Sequence, residues 1–183
     1  MTSPWIIIDR LADVILENVN GCIVEIGSGE STLVLAKHAE AAGVKFYSCD
    51  SSYRVCNWIE ERVKYDNFFL FRGSSFKFME TFEDSPSIVF IDGNHNAGVL
   101  REEANFFLTK MLVGGVMFLH DTCPWKSTYE KKIAGGKQIT THQVRKALEK
   151  SDKLDVFTWR YTAANCGLTM VLKKDMTEPV YRT

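Results

Sequence analysis

The chain lacks most of the signatures that would take it out of the ordinary soluble class. Its five cysteines are an odd number and include no Cys-x-x-Cys pair. That argues against a disulfide framework or a structural zinc site. Cys22 and Cys49 sit in apolar runs and read as small buried hydrophobes, so a reduced, cytoplasmic setting is expected. No apolar run approaches the roughly 20 residues that span a bilayer. The run Trp5 to Ile8 is cut short by Asp9 and has no basic segment ahead of it, so neither a secretory leader nor a membrane partner is expected. The formal net charge is −1, which gives no global basic field to draw the chain to nucleic acid. Lys131-Lys132 and Lys173-Lys174 read as solvated faces. There is no internal repeat and no low-complexity segment. With 183 residues the chain has room for one domain, residues 1–183.

What is present is an alternation of strands and helices. Ile7, Leu11, Val14, Ile15 and Val19 recur at helical spacing, which predicts a helix over 3–18 with Ser3 as N-cap and Pro4 in its first turn. Short apolar runs at 22–26, 44–49, 68–71, 87–91 and 116–119 read as buried strands. Helices are expected at 31–42, 52–65, 76–82 and 98–112 between them. A polar stretch, 123–138, follows and suits a lid, with Trp125 and Tyr129 in it. A helix from about 140 to 150 and two strands, 155–161 and 168–173, close the chain as a hairpin. The order predicts an α/β, Rossmann-like, doubly wound sheet of seven strands. It is mostly parallel, has helices on both faces, and takes an antiparallel edge strand from the hairpin. Phe68, Phe69, Phe71, Phe106 and Phe107 are expected in the core, and His38 on a solvated helix face.

In such sheets ligands bind outside the carboxyl ends of the strands. Here those ends carry Glu25 to Gly29, Asp50, Gly73-Ser74-Ser75, Asp92 to His95, and His120-Asp121. Polar residues or glycines at all five places predict one continuous site. Gly27 and Gly29 allow a sharp turn and close approach of a ligand. Asp50, at the end of the next strand, suits a ribose diol. A dinucleotide site wants a third glycine where Thr32 stands. Glu25 would repel a pyrophosphate but suits the cationic, amino-bearing end of S-adenosylmethionine.

Residues Val24 to Thr32 resemble motif I of the class I S-adenosylmethionine-dependent methyltransferases. Phe90-Ile91-Asp92-Gly93-Asn94-His95, then Gly114 to Thr122, are similar to the small-molecule O-methyltransferase branch that includes macrolide-sugar and catechol-type enzymes. The resemblance implies that Glu25, Gly27, Ser28 and Gly29 lie along the methionine part of the donor, with Ser31 also in contact with the donor. Asp50 would hold the ribose, Ser51 beside it would also contact the donor, and Gly73, Ser74 and Ser75 would lie along the adenine. Asp92 would face the methyl-transfer centre. It further implies a divalent cation, Mg²⁺ or Mn²⁺, on Asp92 and Asp121. The catechol-type pattern has Asp-Asn after the fifth strand; this chain has His120-Asp121. That pair, or His95, can instead supply a general base for the acceptor hydroxyl.

The expected function is therefore methyl transfer to a hydroxyl of a small-molecule acceptor. Two other readings stay open at this point: a nicotinamide-dependent oxidoreductase, and a non-catalytic nucleoside-binding protein of the same fold. Acceptor pockets in this family are built from loops and sometimes from a neighbouring subunit. The oligomeric state is open, and a homodimer is compatible with the sequence.

Overall fold

The computed structural model describes residues 5–123, 141–159 and 167–175. Helix α1 covers Trp5–Asn18, followed by β1 Cys22–Ile26, α2 Glu30–Ala42, β2 Phe46–Asp50 and α3 Tyr53–Glu60. Next come β3 Phe68–Arg72, α4 Ser75–Thr81, β4 Pro86–Ile91, α5 Ala97–Lys110 and β5 Val116–His120. A last helix, α6 (His142–Leu148), precedes β6 Leu154–Trp159 and β7 Leu168–Lys173. The seven strands form one sheet in the order β3-β2-β1-β4-β5-β7-β6. β1 to β5 pair in parallel, and β7 runs antiparallel to both β5 and β6.

The sheet matches the architecture expected from the sequence, with one difference of placement. The reversed strand is β7, wedged between β5 and β6, so it lies one strand in from the edge. The expected N-cap of α1, Ser3, and the following Pro4 lie outside the described residues. So does the expected lid, apart from Cys123.

Both faces of the sheet are covered, which explains the unbroken apolar runs. Ile88 and Phe90 point to one face with α1 and α2, while Val89 and Ile91 point to the other with α4 and α5. On α1 the buried stripe is Ile8, Ala12 and Ile15; Val14 is exposed. The helix is therefore rotated from the face that Ile7, Leu11 and Val14 would define. Helix α3 stops at Glu60, five residues short of the expected end. Phe69 is 45% exposed because β3 is an edge strand, so it is not core, whereas Phe107 is fully buried. His38 is not solvated either: its ring nitrogens lie 3.0 Å from Asp9 and 2.5 Å from Asp13, clamping α2 to α1.

The last carbonyls of α5 find an unusual partner. Lys173 of β7 is buried, and its Nζ donates to the carbonyl oxygens of Leu108 at 2.7 Å and Met111 at 2.6 Å. A cation there satisfies orphan acceptors and complements the helix dipole. It ties the closing hairpin to the helix that leads away from the site.

Candidate active site

Four of the five strand ends open onto one cleft of about 780 Å³. Gly27 to Ser31, Asp50-Ser51, Gly73 to Ser75 and Asp92 to His95 all line it. The fifth end, His120-Asp121, joins through side-chain bonds to Asp92 and His95. The five strand ends are thus brought together around one cleft.

The turn after β1 is built from both sides. Gly27 adopts φ +92, and a Cβ there would sit 2.6 Å from the Asp92 carbonyl oxygen. Glycine is required at that position by the fold itself. Gly29 is different. Its backbone is extended, with φ −177, and a Cβ there would meet no atom within 4 Å. Nothing among the described residues demands a glycine at 29; it leaves open space on the wall of the cleft. Asp50 locks the turn from β2. Its Oδ2 accepts from the Ser28 N–H at 3.0 Å and its Oδ1 from the Ser52 N–H at 2.7 Å.

Glu25 is not on the cleft wall, contrary to the expectation from the sequence. It is fully buried beneath the turn, and three hydroxyls donate to it, from Ser31, Thr32 and Ser48, each at 2.6 Å. Burial pushes its carboxyl up to about 7, against the pull of those hydrogen bonds. Because Ser48 donates to Glu25, its contact with the Ser28 hydroxyl at 2.7 Å has Ser28 as the donor. Thr32 likewise accepts from the Gly29 N–H at 2.8 Å while donating to Glu25. The buried acid thus anchors the whole glycine turn through short hydroxyl links, and Ser31 is the group that connects it to the cleft.

At the mouth stand two Asp–His pairs. His120 Nδ1 lies 3.0 Å from Asp92 Oδ1, and His95 Nε2 lies 2.6 Å from Asp121 Oδ2. Cross-contacts are longer, 3.9 Å from His95 to Asp92 and 3.7 Å from His120 to Asp121. Burial disfavours charge on His120, but the hydrogen bond and charge of Asp92, with the charge of Asp121, outweigh it and raise its pKa. Trp5 of α1 packs against the His120 ring, with centroids 5.5 Å apart, and itself lines the cleft. Asp121 has φ +54, a left-handed conformation uncommon outside glycine, and its carbonyl accepts from the Thr141 hydroxyl. Such outliers cluster at functional sites. Asp92, His95 and Asp121 each offer one ligand atom, and these atoms all lie within 4.8 Å of one another.

A family model described as methyltransferase domain matches residues 24–122.

The chain belongs to the methyltransferase-domain family.

It is an S-adenosylmethionine-dependent methyltransferase, and the nicotinamide reading is set aside. No curated relative matches it in sequence. Solved structures match it in fold at low identity. The O-methyltransferase from Bacillus cereus, in complex with S-adenosylhomocysteine, is 15% identical with a TM-score of 0.69, covering 95% of this chain and 83% of that one. The O-methyltransferase from Streptomyces achromogenes involved in tomaymycin synthesis, in complex with S-adenosylmethionine, is 15% identical with a TM-score of 0.69, covering 96% and 82%. An rRNA methylase from Streptococcus thermophilus is 13% identical with a TM-score of 0.66, covering 96% and 99%. Among the described residues of this methyltransferase no helix is long and apolar enough to cross a membrane.

Trp5, Ser48 and Glu103 belong to the site without being legible as site residues in the sequence, and Thr32 reads there only as a missing glycine. Glu103 is a buried acid of α5 on the cleft wall. Its spacing holds the signal, since it falls on the apolar stripe of Leu100, Ala104 and Phe107. Ser48 pairs in register with Glu25 across β1 and β2, which only the strand alignment reveals.

Proposed function

We propose that the cleft binds S-adenosylmethionine and that the enzyme transfers its methyl group to a hydroxyl of a small molecule. The observation that carries this reading is the pair of Asp–His contacts at the mouth of a cleft whose walls suit an adenosyl donor. The fit rests on Gly29, whose missing side chain leaves open space on the cleft wall for a ligand to approach the backbone. It rests also on Asp50, whose two oxygens each accept one backbone N–H and keep acceptor capacity for a diol. The bound donor supplies a methyl group already activated by its sulfonium charge.

The chain's task is then to align the acceptor and take its proton. Alignment of this kind contributes several kcal/mol. His95 lines the cleft and serves as the general base, with Asp121 orienting its ring and stabilising the imidazolium. Asp92 orients His120 in the same way. Asp92, His95 and Asp121 also fit a divalent cation: two carboxylates and an imidazole, without thiolate, suit Mg²⁺ or Mn²⁺. Such an ion would lower the pKa of the acceptor hydroxyl. The small-molecule acceptor is favoured over RNA by the acidic mouth and the net charge of −1, which offer a phosphate backbone no attraction.

The test is transfer of labelled methyl from S-adenosylmethionine to a panel of small hydroxyl compounds, with and without EDTA. Transfer that EDTA abolishes and Mg²⁺ restores assigns the cation; transfer that survives EDTA assigns the histidine base. Transfer to RNA and to no small hydroxyl compound would overturn the acceptor class.

A further inference from the structure

Glu103 is the buried acid of the cleft that the methyl-transfer account leaves without a task. It projects from α5 and is 1% exposed. Its Oε2 has no hydrogen-bond partner although it is shut off from solvent. Burial pushes its carboxyl up to about 7. An unpaired carboxyl oxygen in such a place costs stability, and no bond among the described residues offsets that cost. The same residue reaches the cleft wall beside Cys49, whose thiol feels its charge, and beside Gly73 and Ser74. Cys49 lies within β2 and Gly73 and Ser74 follow β3, on the side of the sheet away from the histidines after β4 and in β5.

We propose that Glu103 is the specificity residue for the nucleobase of the donor, its unpaired Oε2 accepting from the exocyclic amino group of adenine. This rests on the reading of the cleft as the S-adenosylmethionine site. The chemistry is selective by sign. Adenine presents an amino donor at its six position, whereas hypoxanthine presents a carbonyl oxygen there. Above about pH 7, where Glu103 is ionised, its carboxylate oxygen accepts from the first and repels the second. Phe76 and Val99 supply apolar wall beside it for the face of a base.

The experiment is calorimetry above pH 7, where Glu103 is ionised, with S-adenosylhomocysteine and S-inosylhomocysteine, which differ at that six position and at the adjoining ring nitrogen. Wild type is expected to prefer the adenosyl compound by ~10- to 100-fold, the range of a hydrogen bond to a charged group. Glu103→Ala and Glu103→Gln are expected to lower adenosyl affinity, and Glu103→Ala to bring the two compounds close together. The wild-type preference needs no variant, so a folding defect in either one leaves the proposal exposed to refutation. Equal binding of both compounds by wild type overturns the role of Glu103 alone and leaves the donor site standing. Adenosyl binding unaltered in a folded Glu103→Ala does the same. Failure of wild type to bind S-adenosylhomocysteine at all overturns the donor site and the proposal together.

Discussion

Asp92 and His120 stand side by side at the ends of adjacent parallel strands, with Asp92 Oδ1 3.0 Å from His120 Nδ1. The register sets this up: Ile91 pairs with Leu119, so the next residue on each strand meets its neighbour. His95 and Asp121 repeat the pairing farther out, at 2.6 Å. His95→Ala is expected to lower kcat by about 10²- to 10⁴-fold, as the loss of a general base does, with S-adenosylhomocysteine affinity unchanged. Steady-state kinetics together with calorimetry check this. An undiminished kcat would remove His95 from the chemistry.

Gly27 and Gly29 are expected to respond oppositely to alanine. Gly27→Ala forces a side chain into φ +92 and against the Asp92 carbonyl, so thermal unfolding should shift down by the equivalent of about 1–3 kcal/mol. Gly29→Ala meets no protein atom, so its melting temperature should hold. Its donor affinity should fall, because the new methyl occupies the cleft. Loss of stability with intact affinity in Gly29→Ala would contradict the assignment of that wall.

Thr32→Val removes one of three hydroxyls from Glu25 and leaves the Gly29 N–H without its side-chain acceptor. Above about pH 7, where Glu25 is ionised, the lost bond to it costs about 1.5–3 kcal/mol, and the lost neutral bond to the Gly29 N–H about 0.5–1.5 kcal/mol. At roughly 2–4 °C per kcal/mol for a domain of this size, the melting temperature should drop measurably. Ser48→Ala should act through the same carboxyl group, and the double variant should be non-additive. Simple additivity would mean that Glu25 does not organise the turn.

The buried acids make stability depend on pH with a definite sign. The folded chain keeps the protons of Glu25 and Glu103 up to about 7, while the ordinary value is 4.5. Between those values the folded state binds more protons than the unfolded one, so stability falls as pH rises and levels off above about 7. His120 acts in the same direction, since its raised pKa gives stability that is present below 6.5 and lost as pH rises through its folded value. Urea unfolding across this window should show the decline, and Glu103→Gln should make it shallower. An identical slope in that variant would show that Glu103 titrates normally.

The positions of the strands along the chain are legible in the sequence because each inner parallel strand is buried on both faces and so reads as an unbroken apolar run closed by a polar or glycine residue. Val89 and Ile91 beside Ile88 and Phe90 are the clearest case. The strand ends mark the cleft for the same reason. Spacing misplaces Glu25, because its separation from Gly27 fixes its distance along the strand but not the face it takes. That face is set by pairing with β2, where Ser48 stands opposite. Glu103 escapes a reading by residue type because an acid on a helix usually faces water, and only its position on the apolar stripe of α5 says otherwise.

The most direct measurement is a crystal structure with S-adenosylhomocysteine and Mn²⁺, the metal located by its anomalous signal. The account predicts density running from Ser28 past Asp50 to Ser75, with the ribose on Asp50 and any manganese between Asp92, His95 and Asp121. Ligand bound clear of Asp50 and Gly29, at full occupancy elsewhere on the molecule, would contradict it.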